Sequence, residues 1–169
     1  MVDQEEQENM VLVNQKAAAV SPNNIADVEW YQKLPAFDLP LPQYRNATYR
    51  GFQIEGDSML PNFRPNDWVL AKGVESLQEA SDNKIFVIVM QDAVVVKKLQ
   101  KLPDSSKILL VSLNNEYVPY EVSVSDIQEI WQVNSKLTFN IDTSGESSLL
   151  RELQASMQEL KSQLKTFKA

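Results

Sequence analysis

Two apolar runs joined by only two residues constrain the fold of this chain more than any other feature. Residues 84–90 read Lys-Ile-Phe-Val-Ile-Val-Met, without polar alternation, and residues 93–99 form a second run. Only Gln91 and Asp92 separate the runs, a connection length typical of a β-hairpin. A strand that is apolar on both sides has to be covered on both sides. The sequence therefore predicts a hairpin within a small, twisted, mostly antiparallel β body.

The second run carries two lysines, Lys97 and Lys98, in its interior. Because strand side chains alternate, the two lysines lie on opposite faces, and both faces are otherwise apolar. At least one ammonium group is therefore expected against hydrocarbon, where burial lowers the pKa of a lysine. A neutral amine accepts a proton from a hydroxyl and so activates a serine. The alternative is that both side chains extend to water from an edge strand.

A polar loop at residues 56–61 supplies a serine at the end of a strand. The preceding residues 49–54 alternate as a half-buried strand does, and a Pro-Asn-Asp turn leads into a second strand at residues 68–71. Gly56 permits backbone angles that other residues avoid. Ser58 is thus placed as a nucleophile would be, and equally as an ordinary turn serine.

Composition limits the chemistry that such a serine can use. The chain has no histidine and no cysteine, which excludes a Ser-His-Asp triad, a thiol nucleophile, a disulfide and a zinc site built from those residues. Its 169 residues, 43% of them hydrophobic, suffice for one domain with a genuine core plus appendages. A serine nucleophile here needs a lysine, a carboxylate or the N-terminus as its base. No metal or cofactor is expected.

Charge and the N-terminal residues indicate a compartment and a class of partner. The net charge of −7 repels phosphate backbones, and lysine and arginine form no clustered stripe, so this part of the protein is not expected to grip DNA. The acidic first residues do not resemble a secretory signal. No apolar run reaches the ~18 residues that a membrane span needs. A cytoplasmic protein without membrane contact is therefore expected.

The serine and lysine motifs together resemble one protein family. Residues 52–61 read Phe-x-Ile-x-Gly-Asp-Ser-Met-x-Pro, and residues 94–99 read Val-x-Val-Lys-Lys-Leu. In this order, and followed by Asn-x-x-Tyr-x-Pro at residues 114–119, they are similar to the self-cleaving C-terminal domain of LexA, lambda-type phage repressors and UmuD. The resemblance covers roughly residues 17–140. It implies the mostly β fold of that domain.

The resemblance assigns roles residue by residue. Ser58 matches the family's nucleophile and Lys97 its general base, and the backbone N–H groups of Asp57 and Ser58 match the donors that hold the oxyanion. The bond that the family cuts in its own chain matches Ala19–Val20, where valine stands in place of the usual glycine. Valine is stiffer and wider than glycine. Residues 17–19 are therefore either a cleavage segment or only a linker.

Three segments are predicted: a flexible acidic arm at 1–19, the LexA-like domain at 20–141 and an amphipathic, coiled-coil-like helix at 142–169. Within the arm, Val11 and Val13 alternate as in a short strand. A homodimer is expected, since the related family dimerises; the alternative is a single helix folded back on its own domain. The helix carries an a/d pattern of apolar residues that step alternately by three and four. These residues are Leu150, Leu153, Met157, Leu160, Leu164 and Phe167.

These features predict the effector and dimerisation module of a LexA-like transcriptional repressor, a serine endopeptidase that cuts its own arm. The resemblance implies a recombinase filament as co-protease in an SOS response. It also implies that DNA is contacted only through a helix-turn-helix domain. Such a domain does not fit into the nineteen residues before Val20, so it is expected upstream in a longer chain. The alternatives are a dimerisation scaffold that does not cut, a UmuD-like polymerase accessory protein, and a peptidase that acts on other chains.

Overall fold

Nine strands of the described residues form a single sheet. The computed structural model of the chain describes residues 10–13, 33–139, 141 and 146–167. The chain comprises two compact units, Met1–Thr138 and Phe139–Ala169. The strands lie in the first unit: β1 Met10–Val13, β2 Ala36–Phe37, β3 Tyr49–Gln53, β4 Trp68–Val74, β5 Lys84–Met90, β6 Val94–Lys101, β7 Lys107–Val111, β8 Tyr120–Ser123 and β9 Ile127–Leu137.

The strand order is β2-β1-β3-β4-β9-β5-β6-β7-β8. Neighbouring strands run antiparallel, except that β1 and β3 are parallel. The last of the described strands, β9, lies between β4 and β5 and so joins the serine-bearing part of the sheet to the lysine-bearing part. The predicted mostly β body is confirmed.

The hairpin of β5 and β6 forms at the predicted residues. The N–H of Met90 donates to the carbonyl of Ala93 at 2.8 Å, which closes the connection through Gln91 and Asp92. Both faces of β5 are covered, as its continuous apolar run predicts. One face packs with Phe52 and Trp131, and the other packs with Leu99 and Leu110. The β5 residues in these two clusters are Val87 and Val89 on the first face, and Phe86 and Ile88 on the second.

Strand β1 lies inside the segment predicted as an acidic arm. Val11 and Val13 belong to it, in agreement with their alternation, and both Met10 and Val13 are buried in the core. Leu12 pairs with Gly51 of β3, and a Cβ at Gly51 would come within 2.7 Å of the Leu12 Cδ2. A side chain at position 51 would therefore require the end of the Leu12 side chain to move. The boundary predicted at residue 19 lies outside the described residues.

The described residues of the second unit include a helix, α1, at Glu146–Thr166. Seven large apolar side chains along it are between 53% and 89% exposed. They are Leu149, Leu150, Leu153, Met157, Leu160, Leu164 and Phe167. Within the described parts of the chain, no helix combines the length and the hydrophobicity that crossing a lipid bilayer requires.

Candidate active site

The loop that carries Ser58 connects β3 to β4, and main-chain hydrogen bonds close its base. The N–H of Ile54 donates to the carbonyl of Asp67 at 2.8 Å, and the N–H of Asn66 donates to the carbonyl of Ile54 at 3.0 Å. Gly56 and Asn66 both have φ of 72°, in the left-handed region that glycine and asparagine tolerate best. The loop geometry therefore follows from the residue types at its two bends.

Buried side chains hold the same loop against the sheet. Met59 and Phe63 lie in the hydrophobic core. The carboxylate of Asp67, which is only 2% exposed, accepts a hydrogen bond from the N–H of Arg64 at 2.9 Å and so fixes the turn before β4. The peptide bond between Leu60 and Pro61 is cis. The serine is thus presented from a loop that is anchored on both sides.

The Lys97 side chain reaches the hydroxyl of Ser58. Its Nζ lies 2.6 Å from Ser58 Oγ and 3.0 Å from Ser112 Oγ. Lys97 is 8% exposed, because it lies in the interior of β6 opposite Phe86 of β5. Its neighbour Lys98 points to the other face and is half-buried. The two side chains named from their separate sequence motifs are therefore within hydrogen-bonding distance.

Burial lowers the pKa of Lys97 from the ordinary lysine value, because desolvation disfavours the ammonium form. None of the described hydrogen bonds or ion pairs joins this ammonium to a carboxylate, which would favour the charged form. A lysine with a lowered pKa is a better proton acceptor near neutral pH than an exposed one. Burial thus makes the neutral amine of Lys97 more accessible than that of an exposed lysine.

The Asn-x-x-Tyr-x-Pro loop holds the serine loop from the opposite side. The N–H of Asn114 donates to the carbonyl of Ser58 at 3.0 Å, and its side-chain amide donates to the carbonyl of Asp57 at 3.3 Å. The hydroxyl of Tyr117 donates to the Asp57 carboxylate. This hydrogen bond and the charge of Asp57 raise the pKa of Tyr117. The motif therefore fixes Asp57 and Ser58 by three contacts.

The backbone N–H groups of Asp57 and Ser58 have no hydrogen-bond partner among the residues that the structure describes. Both belong to the bend that carries the hydroxyl. Unpaired main-chain N–H groups beside a nucleophile are suited to hold a developing oxyanion. The geometry is compatible with the role that the sequence resemblance gives to these two groups.

A cleft of about 260 Å³ opens beside Ser58 and Lys97. Its apolar walls come from β1, β3, the serine loop and β6, and include Val13, Phe52 and Met59. Among the described strands, none pairs with residues 94–97 of β6 on the side away from β5, and this part of β6 borders the cleft. The carbonyl of Ala93 accepts a hydrogen bond from β5. Main-chain groups point to alternate sides along a strand, so those of Val94 and Val96 point away from β5. On that side, β7 pairs with β6 only from Lys98 onwards. An extended peptide fits such an edge.

Within the described ranges, no group of three or more histidine, cysteine or acidic side chains is placed to hold a metal ion. The predicted scissile bond, Ala19–Val20, lies outside the described residues. The remaining predicted site residues, Asp57, Ser58 and Lys97, all lie around the cleft or directly beside it.

Sequence reasoning missed Ser112 and the contacts of Asn114 and Tyr117. Ser112 is 8% exposed and continues the buried face of β7 after Ile108 and Leu110. A serine in phase with two buried apolar residues was an available signal, because a buried hydroxyl needs a hydrogen-bond partner. The partner itself was not predictable, since it comes from a different strand.

Comparison with known proteins identifies the class of molecule to which this fold and site belong. The family model described as Peptidase S24-like matches residues 7–133, which is most of the chain. The chain belongs to the Peptidase S24-like family. This confirms the resemblance to the LexA and UmuD type of domain, and it implies serine peptidase activity of the self-cleaving kind in general terms. No curated protein matches the chain.

Proposed function

We propose that this domain cuts its own chain between Ala19 and Val20, with Ser58 as nucleophile and Lys97 as general base, as the effector module of a LexA-like repressor. One observation carries the proposal: a buried lysine nitrogen lies 2.6 Å from the hydroxyl oxygen of a serine that lines an open cleft. Family membership supports the reaction class. The network around Asp57 supports a fixed orientation of the serine.

The reaction proceeds in two balanced steps. Ser58 Oγ attacks the carbonyl carbon of Ala19 while its proton passes to the neutral Lys97 amine. The C–N bond to Val20 then breaks, the Lys97 ammonium returns the proton to the leaving amine, and Ala19 is left as an ester on Ser58. Water then gives a proton to Lys97 and attacks the ester carbonyl; the C–O bond to Ser58 breaks, the Lys97 ammonium returns the proton to Ser58 Oγ, and Ala19 is released with a free carboxyl group. The N–H groups of Asp57 and Ser58 bind the oxyanion, and such donors contribute about 3–4 kcal/mol each.

The course of the described chain favours cutting within one molecule. Val13, the last residue of β1, lines the cleft, and Ala19 follows it by six residues. Six extended residues reach about 20 Å. The chain also returns to the same edge of the sheet, because the carbonyl of Pro35 accepts a hydrogen bond from Leu12 at 2.9 Å. The described residues before and after this segment, Val13 and Pro35, therefore both lie at β1, the strand that borders the cleft.

The experiment that tests this proposal is incubation of the full chain from pH 7 to 11, with intact-mass measurement over time. The expected product begins at Val20. We expect Ser58→Ala and Lys97→Ala to lower its rate by at least about a thousandfold. Lys98→Ala is the matched control and keeps the rate within a few fold, because Lys98 lies on the opposite face of β6. Val20→Gly is expected to raise the rate, since glycine bends into the site more easily.

A chain that stays intact at pH 11, with the recombinase filament present and with glycine at position 20, contradicts the proposal. The second candidate function, a dimerisation scaffold, would then be preferred. The exposed apolar stripe of α1 favours it, because a helix that presents so many large apolar side chains suits burial against a second copy. Upstream DNA binding, a role in the SOS response and the filament as co-protease stay predictions that rest on the family resemblance.

A further inference from the structure

Ser112 contacts Lys97 but has no role in the proposed reaction. It directly follows β7, and Lys98 pairs with Val111 at the end of the β6–β7 ladder. The next register position places Lys97 opposite Ser112, on the same face of the two strands. The Ser112 hydroxyl oxygen lies 3.0 Å from Lys97 Nζ, and the side chain is buried.

We propose that Ser112 is a positioning residue: its hydroxyl oxygen accepts one N–H of Lys97 and thereby aims the amine lone pair at Ser58. A neutral lysine amine has two N–H donors and one lone pair. If Ser112 binds one donor, rotation about the last bond of the side chain is restricted, and the lone pair can face the Ser58 hydroxyl at 2.6 Å. This inference rests on the proposed function of the Ser58–Lys97 pair.

A hydroxyl suits this task better than a carboxylate. A carboxylate at 3.0 Å would stabilise the ammonium form and so remove the base, whereas a neutral acceptor orients the nitrogen at a smaller electrostatic cost. Ser112 is not itself placed to attack a substrate, since it is absent from the lining of the cleft that exposes Ser58. Its contribution therefore passes through Lys97.

Few other charged or titratable groups surround the amine. Glu55 lines the same cleft, and the Tyr117 ring centroid lies 5.8 Å from Lys97 Nζ. Asp57 carries a carboxylate that already accepts the Tyr117 hydroxyl. Strand β5 contributes Phe86, which pairs with Lys97. A phenylalanine side chain does not titrate. Removal of the Ser112 hydroxyl thus changes the surroundings of the amine with no change of formal charge and leaves the nucleophile in place.

The test compares Ser112→Ala and Ser112→Thr with the unaltered full chain by two measurements. The first is the rate of self-cleavage against pH. Ser112→Ala is expected to lower the plateau rate by roughly ten- to a hundredfold through misorientation. It is also expected to move the midpoint down by about one pH unit, because the lost acceptor favours the ammonium form more than the amine. Ser112→Thr keeps a hydroxyl and is expected to restore most of both values.

The second measurement is the titration of the Lys97 ¹³Cε resonance, assigned by its absence in Lys97→Ala and recorded in the Ser58→Ala background so that the chain stays intact. The same downward shift is expected in Ser112→Ala. An unchanged titration, or a lower plateau rate with an unmoved midpoint, overturns the inference because a purely structural role would suffice. If the unaltered chain does not cut itself, the proposed function fails, yet this titration still decides whether Ser112 governs the amine.

Discussion

At the scale of single residues, the site depends on an amine kept in surroundings that disfavour its charge. Among the described side chains, the hydrogen-bond partners of Lys97 are the hydroxyl oxygens of Ser58 and Ser112, and burial lowers its pKa. The unfolded chain therefore binds more protons than the folded chain between the lowered pKa and the ordinary lysine value of about 10.4. In that window the stability of the fold rises with pH. Below it, the buried ammonium destabilises the fold.

The predicted rise of stability with pH can be tested by removing the amine of Lys97. Lys97→Met, made in the Ser58→Ala background, replaces the ammonium by an apolar chain of similar length. We expect it to raise the unfolding free energy at pH 7 by on the order of 1 kcal/mol, as removal of strained active-site groups commonly does. The melting temperature should rise by about 2–4 °C. Thermal unfolding at pH 7 and pH 10 checks this, because the gain should shrink as the amine of the parent becomes neutral.

Lys98→Met is the matched control for that comparison, since the Lys98 side chain lies on the other face of β6, away from Ser58 and Ser112. It should change the melting temperature equally at both pH values. A loss of stability in Lys97→Met that is the same at pH 7 and pH 10 would mean that burial of the ammonium is not destabilising.

At the scale of elements, the sequence predicted what is encoded locally. The β5–β6 hairpin follows from a continuous apolar run and a two-residue connection, and α1 follows from its three- and four-residue steps. The parallel pairing of β1 with β3 and the insertion of β9 between β4 and β5 were not predictable, because strand order depends on contacts between distant residues. The contact between Lys97 and Ser112 was missed for the same reason.

The helix α1 is expected to mediate self-association of the chain. Its exposed stripe has Leu150, Met157 and Leu164 at one repeat position and Leu153, Leu160 and Phe167 at the other, a spacing that favours pairing with a second copy. At ~30 Å, the helix is near the lower limit for a stable pair. Sedimentation of the full chain should therefore report a dimer that the double variant Leu153→Asp, Leu160→Asp weakens at least tenfold.

The control for this variant is Glu152→Asp with Glu159→Asp, which changes the same helix away from the stripe and should leave the dimer intact. A double variant in the stripe that still sediments as the parent does would assign dimerisation to another surface. A parent chain that is monomeric at high micromolar concentration would contradict self-association through α1. Circular dichroism of each variant establishes that loss of the dimer is separate from loss of the fold.

At the scale of the whole molecule, the proposed reaction joins the N-terminal segment to the peptidase body of the same chain. The close tether between Val13 and Ala19 gives the scissile segment an effective concentration of the order of millimolar at its own site. A free peptide at micromolar concentration cannot compete with a segment held in this way. Cutting should therefore be first order, and its rate should not depend on self-association.

The decisive experiment mixes an unaltered chain with an isotope-labelled Ser58→Ala chain at pH 10 and follows both by intact mass. We expect only the unaltered chain to be cut, at a rate constant that stays within about twofold between 1 and 100 µM, since an intramolecular step has no concentration dependence. The Leu153→Asp, Leu160→Asp variant should cut itself equally fast, which separates docking in the chain's own site from docking across a dimer. Cutting of the labelled chain at a comparable rate would show that the arm reaches a second molecule, because the Ser58→Ala chain has no nucleophile of its own at this position.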